Sequence, residues 1–405
     1  MIEKQSLDPR QRIDQCLTAF QSHNHKSGSI CIGSHTVGSH YRRTQQRVLY
    51  RITCYGVYRM CNPFSVHHTI IAIITRCSQS GIGYLHDFFD RSGFTIGNYG
   101  YLCGGFYGAN KDYLNDLWEY DMSRNSWTQC ADMPVAGRKA AVGFAVNGKG
   151  YITTGSVKDG SSSYCVADTW EYDPATDTWT RKDDFKGGVR DGALAFSIGG
   201  YGYVGTGCNS DATGSESAYK MDFYRFNPNG AEGSQWEAVS GYGGEKRYFG
   251  TAFVIDEVAY ICCGRNNSTD LVDFWKFDGS NWTQLRDIAD TDSDNDYDDD
   301  YAITRSEAVS FVIGGRGFVA TGIRNSTSLS SDYWLYDPDK DLWYGDSDDD
   351  FTPITDVHNY PSGASSRRAA VGFSTGERGF VLTGTSGTSY FDDVYELLPD
   401  EEEEV

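Results

Sequence analysis

A segment of about fifty residues recurs six times along the 405-residue chain, and this repetition limits the folds that the chain can adopt. The copy that starts at Arg190 reads RDGALAFSIGGYGYVGTG, continues as MDFYRFNP and ends at Trp236. The other full copies start at Arg138, Arg247, Arg305 and Arg367, and a shorter copy starts at Phe94. An aromatic residue follows each of the five arginines by thirteen positions: Tyr151, Tyr203, Tyr260, Phe318 and Phe380. Landmarks kept in register over so many copies indicate one structural unit repeated along the chain.

Each copy predicts four short β-strands. The stretch GALAFSI alternates small and large residues, as an inner strand packed between neighbours does. A glycine-bearing turn leads to a second strand, D-x-W-x-Y/F forms a third with aromatics at period 2, and a tryptophan marks a fourth. One such sheet cannot bury both of its faces, and sheets set side by side around an axis bury them mutually and leave few open edges.

With these features the chain resembles the kelch-repeat family of β-propellers. The diglycine of that family stands at Cys103-Gly104-Gly105, and its aromatic-to-tryptophan spacing of seven occurs in the pairs Tyr120–Trp127, Tyr172–Trp179 and Tyr336–Trp343. The resemblance implies an all-β, six-bladed kelch-type propeller with four-stranded blades over residues 94–397, followed by an acidic tail at 398–405. The sixth copy ends at Leu397 without a tryptophan strand, and propellers of this family usually close the last blade with a strand from the other chain end.

Residues 1–93 differ in composition from the rest. They hold 11 of the 35 Lys+Arg and 5 of the 56 Asp+Glu, and all 9 Trp lie after them. Their short apolar runs follow no sustained period of 2 or 3.6, so they predict no core of their own. Two interpretations stay open, a basic and poorly ordered leader or a mispredicted gene start. The register favours the second, because it requires an arginine at position 88, where Phe88 stands, while Arg91 lies three residues later.

The recurring arginines are the first candidate site. They begin the inner strands and could ring one mouth of a central channel as a collar for a carboxylate or sulfated glycan, because the guanidinium fork binds such groups bidentately. The alternative is an ion pair within each copy that holds the blades together. Its partners would be the recurring aspartates Asp116, Asp168, Asp222, Asp273, Asp332 and Asp393.

A second candidate is the acidic stretch DTDSDNDYDDD. Its alternate residues Asp290, Asp292, Asp294, Asp296 and Asp298 resemble the oxygen donors of a calcium loop, but the terminal glutamate and the sharp-turn glycine of an EF-hand are missing. A solvated acidic loop is the alternative. We expect no other cofactor. Galactose-oxidase-like relatives of the fold use a copper centre with two histidines, and residues 94–397 contain only His358, which argues against that activity.

These patterns predict a binding scaffold that recognises a protein or glycan partner through loops and the channel mouth. The alternative is a carbohydrate-active enzyme similar to the sialic-acid mutarotases of the kelch group. That enzyme would need arginines without aspartate partners around a deep, ligand-sized pocket. The formal charge of -21 argues against a nucleic-acid partner. The aliphatic run TIIAIIT is too short for a membrane span, and no signal peptide is visible. A place in the cell envelope or outside the cell is implied by the resemblance alone.

Overall fold

The computed structural model of the chain describes residues 88–209, 218–291, 301–344 and 365–397, and within these ranges the regular structure is all β-strand. The same ranges contain no helix long and apolar enough to cross a membrane. Of the atypical N-terminal segment predicted over residues 1–93, residues 1–87 lie outside the described residues, as does the acidic tail at 398–405.

The strands are short and follow one another at close intervals. Strands β1 to β12 are Phe88–Phe89, Ser92–Ile96, Tyr99–Tyr107, Asp112–Asp121, Ser126–Cys130, Arg138–Lys139, Val142–Val146, Lys149–Thr153, Ser156–Asp159, Ser162–Cys165, Thr169–Asp173 and Thr178–Lys182. Strands β13 to β22 are Leu194–Ile198, Tyr201–Gly205, Phe223–Phe226, Trp236–Val239, Thr251–Ile255, Val258–Cys262, Arg265–Asn266, Thr269–Asp270, Trp275–Phe277 and Trp282–Gln284. Strands β23 to β31 are Val309–Ile313, Arg316–Ala320, Ile323–Arg324, Ser328–Leu329, Tyr333–Asp337, Leu342–Tyr344, Val371–Ser374, Gly379–Leu382 and Val394–Leu397.

Each repeat forms one antiparallel sheet, and we number these sheets in chain order. Sheets 1 to 5 have four strands each: β2–β5, then β7, β8, β11 and β12, then β13–β16, then β17, β18, β21 and β22, then β23, β24, β27 and β28. Strand β1 adds to β3 at the edge of sheet 1, and sheet 6 contains the three strands β29–β31. The predicted four-strand repeat is therefore confirmed in sheets 1 to 5. Sheet 6 ends at Leu397 among the described residues, and sheet 1 begins before the predicted boundary at Phe94.

The core lies between neighbouring sheets. The first strand of each sheet, here called the inner strand, alternates a buried residue with a partly buried one. Its central phenylalanine packs against the second strand of the next sheet, where most repeats have a glycine. A Cβ atom on Gly150 would lie 2.1 Å from the Phe94 ring, and one on Gly202 would lie 2.1 Å from the Phe144 ring. Glycine is therefore required here because a side chain would occupy the volume of the neighbouring ring.

The inner strands also contact one another in a closed order, β2 with β7, β7 with β13, β13 with β17, β17 with β23, β23 with β29, and β29 with β2. Packing of Phe373 in sheet 6 against Gly100 in sheet 1 repeats the contact seen between the other sheets. The described sheets thus surround a common axis, which is the architecture of a β-propeller.

Candidate functional site

The predicted arginines all lie at one end of the sheets, and each binds the aspartate of its own repeat. The pairs are Arg91–Asp116, Arg138–Asp168, Arg190–Asp222, Arg247–Asp273, Arg305–Asp332 and Arg367–Asp393, with N–O distances between 2.6 and 3.0 Å. The arginine side chains are at most 2% exposed. The geometry therefore matches the alternative of an ion pair within each copy, and a ligand role for these arginines stays a prediction.

A second contact shows what the arginine does in its repeat. Arg190 Nη1 donates to the carbonyl oxygen of Thr206 at 2.8 Å, and Arg247 Nη1 donates to that of Cys263 at 2.8 Å. The residues that accept these bonds have left-handed backbones, with φ of 58° at Thr206 and 60° at Cys263. The same bond forms at Thr154, Thr321 and Thr383. The guanidinium thus fixes the turn that follows the second strand.

Sheet 1 reaches the same ion pair from a different position. By its spacing to Tyr101 and by its backbone, Phe88 occupies the arginine position of the register, and Arg91 occupies the position three residues later, where the other repeats have Ala or Gly. Arg91 Nη2 nevertheless donates to Asp116 at 2.8 Å and 3.2 Å. Position 91 therefore supplies the charge that position 88 lacks.

The aspartates receive a further donor in four repeats. The indole N–H two residues after the aspartate donates to it, in Trp118 at 2.8 Å, Trp170 at 2.7 Å, Trp275 at 2.9 Å and Trp334 at 3.0 Å. In sheet 3 the corresponding residue is Tyr224, and Asp222 is 41% exposed, against 10% for Asp273. The pair in sheet 3 is therefore the most solvated of the described set.

Next to the arginines, the backbone forms a cycle of hydrogen bonds around the axis. The residue two positions after the arginine position has a left-handed φ of 51° to 56° in each repeat: Asp90, Ala140, Gly192, Phe249, Glu307 and Ala369. Each of these N–H groups donates to the carbonyl oxygen of the preceding one at 2.9 to 3.3 Å, and the cycle closes when Asp90 donates to Ala369. The cycle surrounds a cavity of about 110 Å³, here called the channel mouth.

Two carboxyl groups lie in this cycle, and sequence reasoning missed both. Glu307 binds Arg368 at 3.0 Å and Arg265 at 3.3 Å, and Asp90 lies 3.7 Å from Lys139. Burial raises the pKa of Asp90, and Lys139 and Arg368 offset this only in part. Burial, followed by the charge of Asp90, also raises the pKa of Glu307. The neighbouring cations therefore do not fully compensate the removal of these carboxylates from water.

No repeating signal marked these two carboxyl groups. The same position is Ala140, Gly192, Phe249 and Ala369 in the other repeats, so the register alone shows only that the position exists. Both Asp90 and Glu307 flank the inner strand of sheet 6, where the ring of sheets closes.

Among the described residues, hairpins project around the channel mouth at the ends of the second strands of sheets 1, 2, 4, 5 and 6. We call the segments 106–113, 156–165, 265–270, 323–329 and 385–390 the mouth hairpins. Their tips are exposed, and they are rich in Tyr, Ser, Thr, Asn and Gly, as in GSSSY, NNST and TSGTSY. This composition is also typical of antibody loops, where it combines rigid contact area with adaptable hydrogen bonding.

Contacts between neighbouring mouth hairpins hold them in place. Lys158 Nζ donates to the carbonyl oxygen of Lys111 at 2.6 Å. The backbone N–H of Asn325 donates to Asp270 at 2.7 Å. The ring of Tyr390 stacks on Phe89 with centroids 5.5 Å apart. The mouth hairpins thus support one another at this end of the sheets.

The inner strands line a second cavity of about 450 Å³. Its walls are Gly, Ala, Ser, Thr, Val and Phe residues, so among the described residues it presents no charged side chain. Hydroxyl groups on its wall bond to neighbouring strands, as Ser310 does with Ala252 at 2.7 Å. This part of the channel offers shape and a few hydroxyl groups for recognition.

The remaining predicted sites lie largely outside the description. Of the calcium candidates, Asp290 is described and exposed, whereas Asp292, Asp294, Asp296 and Asp298 lie outside the described residues, as does His358. Within the described ranges no group of three or more His, Cys, Asp or Glu side chains could hold a metal ion. The calcium interpretation stays a prediction.

Comparison with known proteins agrees with this geometry. The family model of the kelch motif matches residues 91–134, which hold Arg91, Asp116 and the diglycine of sheet 1. The chain has the β-propeller fold and carries a kelch motif at residues 91–134. A solved structure titled "Structure of YjhT" has the same fold, with a TM-score of 0.59 and 15% identity over 78% of this chain and 96% of that one. A search among curated proteins finds no match.

The kelch match covers the copy that keeps both glycines of the motif. In the other copies of the repeat a threonine or cysteine stands at the position of the first glycine, as in Thr206-Gly207 and Cys263-Gly264. The replaced residue keeps the left-handed backbone of Gly104, at φ of 58° to 64°. The turn therefore has the same backbone conformation in copies whose residue at this position differs.

Proposed function

We propose that the chain is a six-bladed kelch propeller over residues 88–397 that acts as a binding scaffold, with the mouth hairpins and channel mouth as its recognition surface. This proposal rests on the different roles of two sets of residues at this end of the sheets, the buried ones that stabilise the fold and the exposed mouth hairpins. The arginine–aspartate pairs fix the strands and turns within each sheet, and the hydrogen-bond cycle joins neighbouring sheets. The tips of the mouth hairpins above them are exposed to solvent, and rigid scaffolds commonly present recognition on such loops.

The same observations weigh against the enzyme alternative similar to sialic-acid mutarotases. That alternative requires arginines without partners in a deep pocket, and the six described arginines of the repeated pairs all bind aspartate. The channel mouth holds about 110 Å³, which is well below the roughly 300 Å³ or more of ordinary ligand pockets, and the larger cavity of about 450 Å³ presents no charged side chain among the described residues. The geometry therefore favours a binding surface rather than a catalytic pocket.

The composition of the mouth hairpins favours a protein or glycan as partner. Lysine and arginine are interspersed with acidic residues on the mouth hairpins, as in Lys111 beside Asp112 and Lys158 beside Asp159. No continuous basic stripe for a phosphate backbone is present among the described hairpins, and net charge opposes such binding. Tyrosine and short hydroxyl side chains suit both peptide and sugar surfaces.

Two exposed tyrosines at opposite ends of the propeller supply a matched test. Tyr164 is 48% exposed on a mouth hairpin, and Tyr99 is 37% exposed at the tight turns of the other end. We expect ligands selected from a glycan array and from a displayed peptide library to lose at least tenfold in affinity with Tyr164→Ala and to be unaffected by Tyr99→Ala. The opposite pattern would place recognition at the other end, and turnover of a sugar anomer measured by NMR would favour the enzyme alternative.

A further inference from the structure

Two arginines share one aspartate at the base of the mouth hairpin of sheet 5. In the other described repeats a single arginine binds the repeated aspartate, whereas Asp332 accepts bonds from Arg305 at 3.0 and 3.1 Å and a further bond from Arg324. Arg324 ends the first strand of the hairpin, β25, and its side chain is 28% exposed. Two guanidinium charges therefore face one carboxylate, and the second of them is accessible to solvent.

The two arginines use their N–H groups to different extents. Arg305 is fully buried and donates all five N–H groups, to Asp332 and to three backbone carbonyl oxygens. Within the described part of the chain Arg324 donates only through Nη2, and its Nε is buried without a partner. Most of the donors of Arg324 therefore have no acceptor among the described residues.

Two serine hydroxyls lie on the same face of the hairpin as Arg324. Ser328 is directly opposite Arg324 in the pair of β25 and β26, and Ser330 follows two residues later, where its N–H donates to Gly322 at 2.9 Å. Side chains two residues apart on a strand point to the same side. Ser330 is 6% exposed, and its Oγ has no hydrogen-bond partner in the described structure. A buried hydroxyl without a bond costs free energy, so this donor also lacks an acceptor.

The local charge around this hairpin is positive. The charged groups on this side of the channel mouth are the four arginines Arg265, Arg305, Arg324 and Arg368 and the three carboxylates Asp270, Glu307 and Asp332. Burial, followed by the charge of Arg305, lowers the pKa of Arg324, so Asp332 does not fully compensate its charge. The formal charge of the whole chain, -21, repels anions, but salt screens this repulsion beyond about 10 Å. The local charges therefore decide whether an anion binds here.

We propose that Arg324, Ser328 and Ser330 form an oxyanion site at the base of the sheet 5 hairpin, and that the partner supplies the oxyanion as a carboxylate or sulfate group. Arg324 donates its remaining N–H groups to the oxyanion, and the two serines donate their hydroxyls. The existence of the site follows from the described residues alone. The assignment of the oxyanion to the partner rests on the proposed function.

Inorganic sulfate is the probe for the site itself. With ionic strength held constant by chloride, sulfate should raise the Tm of the natural chain by about 1 °C or more beyond its effect on Arg324→Gln, since an anion bound only to the folded state stabilises it. Comparing the two chains removes the general stabilisation that sulfate gives to folded proteins. The control Arg181→Gln removes an exposed arginine paired with Asp184 at 2.8 Å and should respond like the natural chain. Ser330→Ala should show a smaller response to sulfate.

The partner is tested with ligands selected from the glycan array and the peptide library. We expect these ligands to carry a carboxylate or sulfate group and to lose at least tenfold in affinity with Arg324→Gln. Amidation of the carboxylate, or removal of the sulfate, should cause a similar loss with the natural chain and little further loss with the variant. Arg181→Gln should leave the affinity unchanged.

The two measurements separate the possible failures. An equal response to sulfate in the natural chain and in Arg324→Gln overturns the site. If sulfate binds but the selected ligands keep their affinity for Arg324→Gln and lose it with Tyr164→Ala, the site takes a free anion only, which overturns the assignment to the partner and leaves the proposed function intact. Ligands that respond to neither Arg324→Gln nor Tyr164→Ala contradict both.

Discussion

At the residue scale, the stability of the propeller depends on charges that are buried and paired. Asp273 accepts two bonds from Arg247 at 2.6 Å, one from the Trp275 indole at 2.9 Å, and one from the backbone of Glu245 at 3.1 Å. Loss of this carboxylate should strongly destabilise the fold, because it leaves a guanidinium without a counter-charge in a site closed to water.

The repeats allow this cost to be compared between two sites in one molecule. We expect Asp273→Asn to lower the free energy of unfolding by about 3 kcal/mol, as for a broken buried pair. Asp222→Asn should cost about 1–2 kcal/mol, because Asp222 is 41% exposed and Arg190 keeps its bond to Thr206. Urea denaturation of both variants measures the difference. Equal losses would show that exposure and the indole donor contribute nothing.

At the scale of the element, the residues that fit in a strand depend on the strand of the neighbouring sheet that packs against it. The glycine of the second strand exists because the inner-strand phenylalanine of the preceding sheet fills its side-chain volume. In sheet 4 the glycine is replaced by Ala259, which is fully buried, so one methyl group can be accommodated at this position.

This packing predicts a sharp limit on size. Gly202→Val should lower the free energy of unfolding by about 2 kcal/mol or more, because a branched side chain would overlap the Phe144 ring. Ala259→Gly removes only one methyl group and should cost about 1 kcal/mol. Thermal or urea unfolding checks both values. A valine at position 202 that leaves stability unchanged would mean that the sheets can separate freely.

The strands and hairpins also show how much of the structure could be predicted from the sequence. The register of Arg190 and Trp236, repeated in most copies, was enough to predict the strands, and it offered the arginine–aspartate pairs as one of two interpretations. It could not predict Arg91, which reaches Asp116 from a position that belongs to Ala or Gly elsewhere. It could not predict the contact of Lys158 with Lys111, because contacts between hairpins depend on tertiary placement and follow no period in the sequence.

At the scale of the whole molecule, the ring closes where sheet 6 meets sheets 5 and 1. Arg368 binds Glu307 of sheet 5 at 3.0 Å, and its charge also offsets part of the rise that burial causes in the pKa of Asp90 of sheet 1. The hydrogen-bond cycle passes through the same residues. The ring is therefore closed by backbone hydrogen bonds and by two buried carboxyl groups, those of Asp90 and Glu307. The ion pairs of these groups do not fully offset the energetic cost of burying them.

This closure makes a prediction for the dependence of stability on pH. The pKa values of Asp90 and Glu307 are raised by folding, so between the unfolded and folded values the native state binds more protons than the unfolded state. These two groups therefore add stability at acid pH that is lost as the pH rises through their folded pKa values. We expect Glu307→Gln to gain stability relative to the natural chain as the pH rises from about 4 to 8.

The control for this prediction is a buried glutamate with the opposite sign. Although burial raises the pKa of Glu171, hydrogen bonds from Lys149, Tyr151 and Lys182 bring it below its usual value. Its ionised form stabilises the fold above the unfolded pKa, so Glu171→Gln should lose stability relative to the natural chain over the same range. Urea unfolding at each pH gives both slopes. Parallel slopes for the two variants would contradict the electrostatic account of ring closure, since only opposite signs of pKa shift make them diverge.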